Sequence, residues 1–175
     1  MRKLLSAWLM LASVQVFGQT AAPDLKSVLL AQLRSTHNRA EWFVPANTAV
    51  AGLSAEQANW KDNSGNHSVG QLVQHLVFWN ERQLNKFLGK EVKDFKGDNN
   101  ETFANVDKAS WETAVKKLDE ILTGLEQFVE KADEKTLTAA AGNIANISAH
   151  NAYHTGQIIF VRKEQGSWNP DNGVK

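Results

Sequence analysis

The 175-residue chain contains no cysteine. It therefore has no disulfide, no thiolate metal site and no cysteine on which a lipid anchor could be built, and its fold must rest on its hydrophobic core. Proline is scarce as well. Pro23, Pro45 and Pro170 all sit at the ends of periodic segments, so nothing breaks the segments between them. Charge of either sign is not in excess: 19 basic residues face 19 acidic ones. That excludes the basic footprint of a nucleic-acid binder. Beyond residue 17 no apolar run approaches the roughly 20 residues that a membrane span requires. Internal repeats, low-complexity tracts and strand-like alternation backed by turn chemistry are also missing.

What is present begins with a leader pattern. Arg2 and Lys3 precede an apolar stretch over residues 4–17, and Val16 and Gly18 place small residues where a signal peptidase reads. The pattern predicts a signal peptide over residues 1–18, cleavage before Gln19 and an exported, periplasmic or secreted protein, soluble once the leader is gone. Residues 19–175 are then the length of a single domain. The leader carries two of the basic residues and no acid, so this domain has a net charge of about −2.

Four long segments carry helical periodicity. The first runs over residues 24–44, with Leu25, Leu29, Leu33, Ala40 and Val44 as its stripe and Pro45 as its stop. The second begins at Ser68, where Ser-Val-Gly-Gln reads as a capping box, and continues through Leu72, Leu76, Trp79, Leu84 and Leu88 to Gly89. The third has the most regular heptad, from Trp111 through Leu118, Leu122 and Leu125 to Val129. The fourth covers residues 143–165, with Ile147, His154 and Val161 spaced seven apart and Gly166 as its stop. The expected class is all-α, a four-helix bundle. Residues 90–107, between the second and third helices, exceed the roughly 2–8 residues that join antiparallel neighbours. Fully extended, they could return the chain along the whole bundle and make those two helices parallel. Residues 54–60 have room for a short helical turn.

Five histidines carry the chemistry. His150 and His154 lie four apart, one above the other on the inward face of the fourth helix, a spacing that lets two imidazoles share an ion. Asn151 stands where an HExxH metalloprotease has its glutamate, which excludes that class. His75 lies on the inward face of the second helix with Leu72 and Trp79. Each buried imidazole needs partners for two nitrogens. Three inward histidines with open positions are a donor set typical of catalytic metal sites. The competing reading keeps them hydrogen-bonded in the core without metal. Gln157, three residues past His154, is placed to hold a ligand histidine, and Trp79 and Tyr153 to line a pocket. His67 is expected to pack at a helix entrance, and His37 to be structural.

The motifs NHSVGQLVQHL in the second helix and AHNAYHTGQI in the fourth resemble the DinB-like (DinB/YfiT) superfamily of metal-binding four-helix bundles. The resemblance spans essentially the whole chain after the leader. It implies an up-down-down-up topology with a long second crossover, and a divalent metal, commonly zinc or nickel, on His75, His150 and His154. Some relatives act on low-molecular-weight thiols in the cytosol, an activity that the export signal argues against carrying over. The expected function is a metal-dependent enzyme of hydrolase type acting on a small molecule. The alternative is a non-catalytic protein that binds a small molecule or the metal itself. Against the first stands the lack of a carboxylate near the histidines: Glu81 and Glu164 lie on the same helices, a turn or more away. Partners other than the small molecule reduce to a second copy in a homodimer. Imidazole must be neutral to coordinate, so an unperturbed pKa of about 6.5 would have the metal lost near pH 5, roughly.

Overall fold

The computed structural model describes residues 22–173, so the expected leader, residues 1–18, lies outside the described residues. Six α-helices follow in order: α1 (Leu25–His37), α2 (Ala46–Val50), α3 (Ala55–Asn59), α4 (Val69–Phe87), α5 (Lys108–Lys131) and α6 (Glu134–Gln165). No strand occurs among the described residues. The long helices α1, α4, α5 and α6 form the bundle, and α2 and α3 sit in the link between α1 and α4.

Local chemistry sets the boundaries. Ser68 Oγ accepts from Gln71 N while Gln71 Oε1 accepts from Ser68 N, so the capping box read from the sequence starts α4. Ser54 and Gln57 repeat the arrangement on α3, the short turn expected over residues 54–60. Gly166, at φ 77°, closes α6 in the left-handed region that glycine enters without steric cost. Two expectations are corrected. The first helix stops at His37 rather than at Val44: Arg39 N bonds back to Arg34 O at 2.9 Å, and Val44, as the residue before a proline, is biased away from helical geometry. Trp42, which the longer helix would have carried, is 97% exposed. The fourth helix begins at Glu134 and not at residue 143, because Asp133 caps it by accepting from Thr136 N.

Side-chain pairs give the helix directions. Between α4 and α5, Glu81 meets Lys117, Leu84 packs where Gly124 leaves room, and Phe87 stacks on Phe128, so residue numbers rise together and the two helices are parallel. Between α1 and α5, Lys26 reaches Glu130 O while His37 reaches Asp119, which makes them antiparallel. Only Ala132 and Asp133 separate α5 from α6, so the chain reverses there. The topology is up-down-down-up. Long-range packing pairs α1 with α5 and α6, and α4 with the same two, which puts α4 and α6 side by side.

The core takes Leu29 and Leu33 of α1, Leu72 and Leu76 of α4 and Leu118, Leu122 and Leu125 of α5 from the expected stripes, and on α6 adds Ile144 and Ile158 to the expected Ile147 and Val161. The crossover of residues 88–107 is pinned at its far end, where the Asn59 side chain bonds both Val106 O and Val106 N. Its midpoint is a 3-10 turn, Asn99–Thr102, lying against α4.

Candidate metal centre

Helices α4 and α6 bring His75, His150 and His154 together. His150 Nε2 lies 3.1 Å from His75 Nε2 and 3.1 Å from His154 Nε2. The outer nitrogens show which tautomers are present. Thr102 has a single hydroxyl proton and donates it to Asn99 O at 2.7 Å, so toward His75 it can only accept. His75 Nδ1 therefore carries the proton, 2.6 Å from Thr102 Oγ1. In the same way His154 Nδ1 donates to Gln157 Oε1 at 2.7 Å. Both arrangements leave Nε2 as a bare lone pair, and both lone pairs point at His150 Nε2.

Without a cation the arrangement is poorly satisfied. A proton on His150 Nε2 makes one good hydrogen bond, and a second acceptor is left facing it. A divalent ion held among the three nitrogens would satisfy every lone pair at once, and two of the three pairs already stand 3.1 Å apart. The three histidines, with potential ligand atoms mutually within 4.8 Å, can thus hold a metal ion. The outer contacts from Thr102 and Gln157 are those that ligand imidazoles need in order to keep one tautomer and one orientation.

Burial reinforces this readiness. Desolvation first, then repulsion from His154, His150 and His67, pushes the His75 pKa from 6.5 down to about 3. Desolvation and His154 push His150 to about 4. His154 is also lowered, chiefly by burial, with its bond to Gln157 acting the other way. At neutral pH the three imidazoles are uncharged, the state in which they coordinate.

The triad opens onto a cleft of about 600 Å³ between α4, α6 and the crossover. Trp79 and Tyr153 line it as expected; Trp79 is held by a bond from Nε1 to Asn99 Oδ1, and Tyr153 is mostly exposed. Its polar lining apart from the histidines and Tyr153 is carboxamide: Asn80, Gln83, Asn99, Asn143 and Asn146. No carboxylate and no Lys or Arg lines it. Glu81 turns away to Lys117, and Glu164 lines a separate small pocket beside Trp60.

The remaining histidines offer no nitrogen to the triad. His67 stacks on Phe103 at 3.8 Å, and Phe103 stacks on His75 at 4.1 Å, so the phenyl ring is sandwiched between two imidazoles. His37 is buried on the far face of the bundle, 2.8 Å from Asp119 and 2.6 Å from Glu126. Thr102, Phe103 and Asn99 escaped the sequence reading because they come from an aperiodic crossover. Asn80 and Asn151 carried a weak signal, amides at inward-facing helical positions.

A family model described as the DinB superfamily matches residues 45–159, a span that contains all three histidines and the crossover. No curated protein and no solved structure matches the chain. With the match covering well over half the sequence and containing α4, α5 and the histidine cluster, the chain belongs to the DinB superfamily.

Proposed function

We propose that this protein holds one divalent metal ion, zinc or nickel, on His75, His150 and His154 and uses it to bind a small molecule in the adjoining cleft. The observation that carries the reading is the convergence of three Nε2 atoms, two of them fixed as unprotonated acceptors by Thr102 and Gln157. A divalent ion there would supply Lewis acidity to a group bound at its open positions.

The chain's own residues divide the remaining work. Thr102 and Gln157 keep the protons on Nδ1. Phe103 covers one face of His75 and excludes water from it. Trp79 and Tyr153 flank the opening, and the carboxamides offer hydrogen bonds without charge, so any preference for an anionic group would come from the ion alone.

Between hydrolase-type catalysis and capture, the lining favours capture. A hydrolase of this design would need a proton acceptor beside the metal, and the cleft offers no carboxylate for it. All three histidines come from one chain, so the homodimer expected from the sequence is not needed to complete the site. Export through the residue 1–18 leader belongs to the same proposal, and N-terminal sequencing of the protein from its host reads it directly. Elemental analysis of the purified full chain tests the metal reading. About one equivalent of zinc or nickel is expected in the wild type and in His67→Ala, and little in His154→Ala. Equal metal in wild type and His154→Ala would overturn it.

A further inference from the structure

Asn80 is 2% exposed, yet it forms part of the cleft wall on the same helix as His75. Its amide nitrogen lies 2.8 Å from Leu76 O and 2.8 Å from Asn151 Oδ1. A backbone carbonyl can only accept, so the end of the amide that faces Leu76 is the nitrogen, and the group cannot be reversed without setting oxygen against oxygen. Asn151 Oδ1 takes the second proton. Both N–H groups of Asn80 are committed inside the protein, and the polar atom this cleft-lining side chain has left is Oδ1, an acceptor that cannot change roles. Charge does not complicate the readout, since no acidic, Lys or Arg side chain shares the lining.

We propose that Asn80 Oδ1 is the specificity-determining acceptor of the cleft. Among small molecules bound through the metal, it selects those with an N–H or O–H donor beside their metal-binding atoms and disfavours bare carboxylates, whose oxygens would face it lone pair to lone pair. Asn151 acts through Asn80 as a positioning residue. The inference rests on the metal-binding reading of the three histidines.

Two hydroxamates test it on the zinc-loaded full chain. Acetohydroxamate and N-methylacetohydroxamate chelate through the same two oxygens and differ by one N–H. Zinc stoichiometry is measured first and hydroxamate affinity second, by calorimetric titration. The wild type should prefer acetohydroxamate about tenfold, the size expected for one hydrogen bond in a shielded site. Asn80→Leu should keep its zinc and lose most of that preference; Asn80→Ala, which fills less space, carries the same expectation if the leucine variant does not fold. A wild type that binds zinc and treats the two probes alike overturns the proposal, as does an equal preference in wild type and Asn80 variants. A wild type that binds no zinc overturns the metal reading beneath it, and the stoichiometry distinguishes that failure from the others.

Discussion

Thr102 has one proton, and it goes to Asn99 O, which makes the side chain a fixed acceptor for His75 Nδ1. Replacing it by valine keeps the shape and removes the acceptor. Thr102→Val should lower zinc affinity about 10- to 100-fold, the usual effect of losing a partner of a ligand histidine. A chelator-competition titration measures it, and unchanged affinity would mean that the tautomer is held by something else. Proton competition belongs at the same scale. With ordinary imidazole values the metal would leave near pH 5, but burial and mutual repulsion push His75 to about 3 and His150 to about 4. Metal retention should therefore extend below pH 5 in a pH-stepped dialysis; complete loss at roughly pH 6 would contradict the depressed values.

At the scale of elements, the crossover is as much a part of the site as the helices. Asn59 clamps Val106 through both its backbone groups, and the Asn99–Thr102 turn further up the crossover supplies the contact to His75. Asn59→Ala removes two hydrogen bonds to a buried residue and should cost about 2 kcal/mol in urea unfolding. The same variant should weaken zinc binding a few-fold, a coupling that a remote surface change would not show. The helices were legible from the sequence because burial of one face imposes a period, and that period placed His75, His150 and His154 together on facing stripes. Two boundaries were misread for physical reasons. The spacing of Leu33, Ala40 and Val44 imitates a continuing helix, although Ala40 is exposed and Val44 reaches the core from a non-helical segment. The start of α6 runs through Thr-Ala-Ala-Ala-Gly, which lacks large apolar side chains even though Leu137, Ala140 and Ile144 are buried there. Thr102 lies 27 residues from His75 in a segment with no period, so its role emerges only from the fold.

For the whole molecule, the bundle is expected to fold without the ion, since all four long helices contribute buried apolar side chains. An ion held by the native state alone would add to that stability by mass action, about 2.7 kcal/mol at a hundredfold excess over Kd. No described helix is long and apolar enough to cross a membrane. Arg162 joins the end of α6 to the rest of the fold: its guanidinium donates to Ala49 O, Ala51 O and Ser167 O and lies over the Trp168 ring. Arg162→Met should lose about 3 kcal/mol in urea unfolding and leave zinc stoichiometry unchanged. Stability of the metal-free protein should depend on pH with a defined sign. His75 and His150 have folded pKa values below the ordinary 6.5, so the unfolded chain binds more protons as pH falls. Their contribution is fully present above about pH 6.5 and is lost as pH falls through about 4 for His150 and about 3 for His75. The Tm of metal-free protein should fall across that window, and less steeply in His75→Gln. A flat profile would contradict the buried, neutral triad.

X-ray absorption of the zinc-loaded full chain reads the donor set directly. Three imidazole nitrogens about 2.1 Å from the ion are expected in the wild type, and two in His150→Ala, whose weaker site is loaded with excess zinc. A wild-type spectrum with fewer than three imidazoles, or one that His150→Ala leaves unchanged, would contradict the assignment of His75, His150 and His154 to one metal.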